Sequence, residues 1–337
     1  MHTCSPWTKK GVIDRFLKPR FLQLRATQWL LAASLVLSPV SVAAASQPTS
    51  ASINTLFDYQ VTTAQGQSLS LTQVADNVEK ADIVLIGEWH SHPGVHRFQT
   101  ELLNQLASRH SVALSMEQFS RDAQPVVNQY LAGDIGEDTL KRRANAWDNY
   151  NGSYRPLIEL AKQRQFDVIA ANAPKRMVSC IGRQGLAYLN KLPDQQRQWF
   201  AATIDTQDSP YKRQFKANMH HGTPTQTDDQ FAAQLAWDAT MAESMVDYHA
   251  RHPDTQIVHI AGRFHIAEGL GTAAQLKARN PDLTIALITA VSDQAKLTDN
   301  AKDLRLKVMP LPQRWQSMDE MREAVSQMKG QGAPQCR

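Results

Sequence analysis

Three histidines and a glutamate fall within nine positions of IVLIGEWHSHPGVHRFQ, residues 83–99: Glu88, His90, His92 and His96. A carboxylate beside an imidazole is a general acid–base pair, and both groups ligate divalent metals. Glu117 closes a second apolar run, SVALSME; Asn172 lies near the end of a third, FDVIAANA; His265 ends a fourth, QIVHIAGRFH. Each polar group follows residues with strand character. Chemistry-bearing side chains at the same end of four strands are the pattern of a site, not of one histidine-rich loop.

The elements that must position them are legible. Strands are expected near Leu56–Val61 and over 81–88, 111–117, 166–173, 256–265, 283–291 and 304–310. Helical spacing of Val95, Phe98, Leu102 and Leu106, with Pro93 in the first turn, predicts a helix over 93–108. Further helices are expected at 124–133, 137–147, 155–165, 174–190, 228–252 and 268–280, with a polar, proline-broken helical insertion over 191–227. Strands alternating with helices, the strands apolar throughout, imply an α/β fold: a mainly parallel sheet flanked by helices and joined by right-handed crossovers. In such a sheet the carboxyl ends of the strands share one edge, and ligands bind there.

Each residue also has a plainer reading. Glu88 is placed to cap the next helix, and His90 to be a loop histidine. His92 and His96 stand at i, i+4, a chelating spacing, but His92 also suits the helix N-terminus and His96 its packed face. Glu117 requires a partner if buried, since an unpaired buried carboxylate costs several kcal/mol. The pair His220–His221 reads as solvated. Arg155, Lys175 and Arg176 follow turns at the same edge and suit either ligand carboxylates or water. No G-x-S-x-G elbow, P-loop or strand-following G-x-G-x-x-G is present.

Residues 1–45 read as a signal peptide: a basic stretch from Lys9 to Arg25, a short apolar core at 29–40, and Ala43-Ala44-Ala45 before a cut near Ser46. An uncleaved anchor is the alternative. Cys4 precedes the apolar core, so no lipobox cysteine is present. Without the leader the chain keeps 30 of its 36 basic and 31 of its 32 acidic residues, which gives no reason to expect nucleic acid as a partner. The expected organisation is a linker and edge segment at 46–74, an α/β domain at 75–310 and a tail at 311–337. Export to the periplasm would let Cys180 and Cys336 pair, although sequence spacing does not decide it.

Several separated blocks carry a family resemblance: LIGEWHSHPGVHRFQ; SMEQF with YLAGDI downstream; Trp147 with YRPLIELAK; AANAPKRMV; AWDATMA; and HIAGRFHIAEGLG. Together they resemble the ChaN-like haem-binding uptake proteins, grouped with the TIKI and erythromycin-esterase-like superfamily, over roughly residues 75–310. The resemblance implies haem or iron handling at the bacterial envelope. It implies haem as cofactor with tyrosine ligation, by Tyr154 first and Tyr150 second. His92, His96, Arg155, Lys175 and Asn172 would complete the cofactor site. A haem-bridged homodimer and an outer-membrane or ABC haem-uptake system are the implied partners. The wider superfamily implies an alternative, a metal-dependent hydrolase of ester or peptide bonds. There His90, Glu117 and His265 would hold a divalent metal and Glu88 would act as general base.

Overall fold

IVLIGE is apolar at almost every position because the strand it forms, β3 (Ile83–Glu88), is buried on both faces. The computed structural model describes residues 52–218, 223–295, 302–329 and 336. Around β3 it assembles β1 (Tyr59–Thr62), β2 (Ser68–Leu69), β4 (Val112–Ser120), β5 (Val168–Asn172), β6 (Gln256–Gly262), β7 (Ile285–Ser292) and β8 (Leu304–Val308). The order is β2-β1-β8-β7-β3-β6-β4-β5. The strands β8, β7, β3, β6, β4 and β5 run parallel, while β1 and β2 add an antiparallel hairpin at one edge. After β3 the chain steps past one position to build β4 and β5. It then returns to place β6 in the gap and crosses β3 to make β7. The strand order reverses there, so the carboxyl ends of β3, β6 and β4 open onto a switch-point crevice.

One face of the sheet carries α1 (Leu71–Val78), α2 (Pro93–Ala107), α3 (Gln124–Ala132), α4 (Glu137–Arg143), α5 (Tyr150–Ser153) and α6 (Arg155–Arg164). Val95, Phe98, Leu102 and Leu106 of α2 pack with Val84 and Ile86 of β3, as the helical spacing predicts. The other face carries α7 (Lys175–Gln184), the short α8 (Asp194–Arg197), α9 (Pro210–Asn218), α10 (Pro224–Arg251), α11 (Arg263–Ile266) and α12 (Thr272–Arg279). There Met241, Met245 and Leu276 pack against Ile83, Leu85 and Ile257. A last helix, α13 (Met318–Lys329), lies in the stretch expected as a tail.

The departures from expectation have local causes. Helix α1 sits partly in the expected linker because Ser70 and Gln73 form a reciprocal capping box. Helix α10 starts four residues early because Thr223 and Gln226 do the same, with Pro224 in the first turn. The strand expected over 256–265 stops at Gly262, where its ladder with β3 ends, and α11 takes over. Within β4 the register with β5 shifts between Met116 and Ser120. Among the described residues no further strand pairs beyond β5. Instead the Gln124 side chain donates to Val168 O at 2.8 Å and accepts from Ala170 N at 2.7 Å.

Cys180 of α7 and Cys336 form a disulfide with their Cα atoms 5.5 Å apart, tying the chain end to the body. Among the described residues no helix is long and apolar enough to cross a membrane. The expected signal segment and His220–His221 lie outside the described residues.

Candidate functional site

Glu88, the last residue of β3, is buried, and its carboxylate accepts four hydrogen bonds. The donors are His90 Nδ1 at 2.9 Å, Gln99 Nε2 at 2.6 Å, Gln118 Nε2 at 3.1 Å and the Tyr154 hydroxyl at 2.7 Å. Burial alone would favour the neutral acid. The His90 hydrogen bond, the charges of His96 and His90 and the Gln99 hydrogen bond outweigh it and hold the carboxyl below its ordinary value. All four partners are donors, three to Oε1 and one to Oε2, which suits an ionised, acceptor-only carboxylate. Glu88 is therefore not a helix cap; that place belongs to His92.

His90 is the open member. Its side chain is 45% accessible. Because Nδ1 donates to Glu88, the neutral ring carries its lone pair on Nε2. Burial lowers its proton affinity, but the Glu88 hydrogen bond and the charges of Glu117 and Glu88 raise it more, so the net shift is upward. The ring lies over Gly262 at the end of β6 and meets the edge of Trp147, centroids 4.9 Å apart. A Cβ at Gly262 would stand 2.8 Å from both His90 Cε1 and Nε2. Gly262 has φ −55° and ψ 142°, which alanine adopts without strain. Gly262→Ala should thus fold normally but push the imidazole off its shelf, an overpacking of about 1–3 kcal/mol. NMR of the His90 ring protons and a melting curve check this: a displaced ring in a folded protein whose Tm falls by several degrees is expected.

Glu117 lies where the register of β4 shifts. Its Oε2 accepts the Gly262 amide at 2.6 Å, and its Oε1 stands 3.6 Å from His265 Nε2. His265 is buried in α11, with Nδ1 2.9 Å from Asp238 Oδ1. Asp238, wholly buried on α10, also accepts from Thr272 Oγ1 at 2.8 Å and from the Tyr211 hydroxyl at 2.9 Å. Burial opposes charge on His265, but Asp238 and Glu117 on its two sides push its pKa up to about 9. The site thus holds two imidazole–carboxylate pairs, Glu88–His90 and Asp238–His265, with Glu117 between them.

The remaining expected residues fall into place differently. His92 is a buried N-cap: its Nδ1 accepts from Val95 N, and its Nε2 donates to Met309 O at 2.8 Å. His96 faces the Gln99 side-chain oxygen and the His90 carbonyl, at 2.9 and 3.0 Å. Both histidines thus hold backbone and network through their ring nitrogens. Asn172 Nδ2 donates to Glu117 O at 3.0 Å and so fixes the irregular stretch of β4. Arg155 is occupied by Glu137 and Asn151. Lys175 is exposed. Among the described residues no three His, Cys, Asp or Glu side chains gather as a metal set. Of His90, Glu117 and His265, the last has Nδ1 taken by Asp238 and Nε2 3.6 Å from Glu117 Oε1.

Sequence reasoning missed Gln99, Gln118, Tyr211 and Asp238. Asp238 did leave a signal: an acid among apolar neighbours in QLAWDATMAESM, which cannot face the core unpaired.

Residues 74–276 match the family described as haem-binding uptake, Tiki superfamily, ChaN. The chain belongs to this family. No curated protein matches it. A solved structure titled for cofacial haem binding to ChaN of Campylobacter jejuni is 14% identical, with a TM-score of 0.56 over 74% of this chain and 96% of that one. A mutant of the erythromycin esterase EreC in its open conformation is 13% identical, with a TM-score of 0.43 over 78% of this chain and 86% of that one. The first likeness shows the ChaN fold, and family membership supports a haem-binding role.

The tyrosines of this ChaN-family chain do not fit an exposed haem ligand. Five of the seven hydroxyls donate to carboxylates: Tyr59 to Glu101, Tyr130 to Glu159, Tyr154 to Glu88, Tyr211 to Asp238 and Tyr248 to Asp167. Tyr150 and Tyr188 are buried. Burial and the Glu88 charge raise the Tyr154 pKa, and burial raises that of Tyr150, so both favour the neutral phenol in this arrangement. The expectation that Tyr154 or Tyr150 faces an iron is not met in this arrangement. The donor that does fit is His90, whose other ring nitrogen is held by a carboxylate, the usual backing of a metal-bound imidazole.

Proposed function

We propose that this protein binds haem at the carboxyl edge of its sheet with His90 Nε2 as its iron ligand, and that it takes part in haem or iron acquisition at the bacterial envelope. The observation that carries the ligand assignment is the Glu88–His90 pair: one nitrogen buried and bonded, the other beside an open face. Haem bound there would supply an iron centre and an aromatic plane. The chain supplies the ligand, its orientation through Glu88, Gly262 and His96, and a wall in Trp147. Export is supported by the leader-like residues 1–45 and by the disulfide, which suits an oxidising compartment. The open shelf under His90 is compatible with a second copy completing the site, and an outer-membrane or ABC uptake system is the partner that haem traffic calls for.

The hydrolase reading has less behind it. Glu88 is buried and already engaged by four protein donors, and among the described residues the proposed metal set does not gather.

Haem titration followed by absorbance tests the proposal. The wild type should give a saturable Soret shift typical of histidine ligation, and His90→Ala should lose it, with affinity falling at least about tenfold. A tyrosinate-type spectrum that survives in His90→Ala would return the ligand to a tyrosine that becomes uncovered.

A further inference from the structure

Haem carries two propionate groups, and ligation by His90 leaves them unmatched. Of the cations the sequence suggested for ligand carboxylates, Arg155, Lys175 and Arg176, the first is bound to Glu137. The carboxylates of the site already hold their donors. Lys175, Arg176 and a further cation, Arg263, follow the ends of β5 and β6, which flank β4. Arg263 comes directly after the Gly262 shelf of β6, and Lys175 and Arg176 open α7 just past β5. All three are exposed, and none of their side chains has a hydrogen-bond or ion-pair partner among the described residues.

We infer that Arg263 and the pair Lys175–Arg176 form a carboxylate clamp that anchors the acidic side chains of the porphyrin; this rests on the haem reading. The backbone at each position is fixed while the charge stays free. Arg263 is seated on β3 where Gly87 leaves room: a Cβ at Gly87 would lie 3.3 Å from Arg263 Cα and 3.1 Å from Ile266 Cβ. The turn before Lys175 is held by Asn172, whose side chain donates to Glu117 O and accepts from Ala173 N at 2.8 Å. Between β6 and β5 lies only β4, so with neighbouring strands about 4.8 Å apart the two anchors rise from strand ends roughly 10 Å apart. That separation suits two carboxylates on one rigid ring better than a single small anion. Arg263 brings a planar fork suited to bidentate pairing; Lys175 and Arg176 add charge.

The clamp predicts discrimination between acidic and esterified porphyrins. Haem and haem dimethyl ester are titrated against the full chain, Arg263→Ala and the double variant Lys175→Ala/Arg176→Ala. The wild type is expected to bind haem about tenfold more tightly than the ester. Each variant should lose about threefold for haem and almost nothing for the ester, the scale of partly exposed charge pairs. Added salt should weaken haem binding in the wild type more than in the variants. Equal affinity for haem and ester, with variants unchanged and a His90-dependent spectrum intact, would overturn the clamp and leave the haem reading standing. Absence of haem binding by folded wild type would overturn both.

Discussion

Glu88→Ala should destabilise the protein by about 3–5 kcal/mol, the usual consequence of removing one side of a buried charged network. The loss is large against the roughly 5–15 kcal/mol that holds an ordinary domain together. Alanine would leave the Tyr154 hydroxyl, the Gln99 and Gln118 amides and His90 Nδ1 without their shared acceptor in a place water does not reach. Glu88→Gln should be milder, about 1–3 kcal/mol, because it keeps the shape but turns one acceptor oxygen into a donor facing other donors. Urea unfolding of the three proteins gives the order wild type, glutamine, alanine. An alanine variant as stable as wild type would mean that the four donors find other partners and that Glu88 does not organise the site.

Stability should also fall as the solution is made alkaline, and His265 is the reason. Its folded pKa, about 9, lies above the ordinary imidazole value of 6.5. A group raised in this way contributes its full stabilisation below the unfolded value and loses it as the pH climbs through the folded one. The contribution at stake is about 3 kcal/mol, and the window runs from about pH 6.5 to about pH 9. Tm measured across that window should decline in the wild type and stay flatter in Asp238→Asn, which lacks the main charge holding the proton. An NMR titration of the His265 ring checks the cause directly, with a midpoint near 9 expected in the wild type and a much lower one in the variant. Parallel Tm curves and an ordinary midpoint would refute the paired charges Asp238–His265–Glu117.

The strands were legible because burial on both faces leaves an uninterrupted apolar run, and IVLIGE and QIVHIAG carry that signal in their composition. That Glu88, Glu117 and Asn172 come to one edge followed from the parallel topology; His265 reaches that edge on α11, past the end of β6. What each does there did not follow, because a role depends on partners remote in sequence. Asp238 reaches His265 across 27 residues and Tyr154 reaches Glu88 across 66. Tyr154 and Tyr150 were expected as ligands because the family resemblance implies tyrosine ligation, and exposure is not visible in a sequence. His92 and His96 have a chelating spacing, yet α2 turns one into a cap and the other inward. Lys175 and Arg155 looked equivalent until one was seen bare and the other paired.

The Gln124 side chain, which satisfies Val168 O and Ala170 N on the outer side of β5, also bears on how this chain keeps company with its own copies. An unpaired strand edge is a template for strand addition and fibrillar growth. Here a single amide mimics the missing neighbour, while the opposite edge ends in the two-residue β2. Copies crowded together would find little backbone on either flank to zip onto. Gln124→Ala, by baring that backbone, should make concentrated samples prone to polymerise through the sheet.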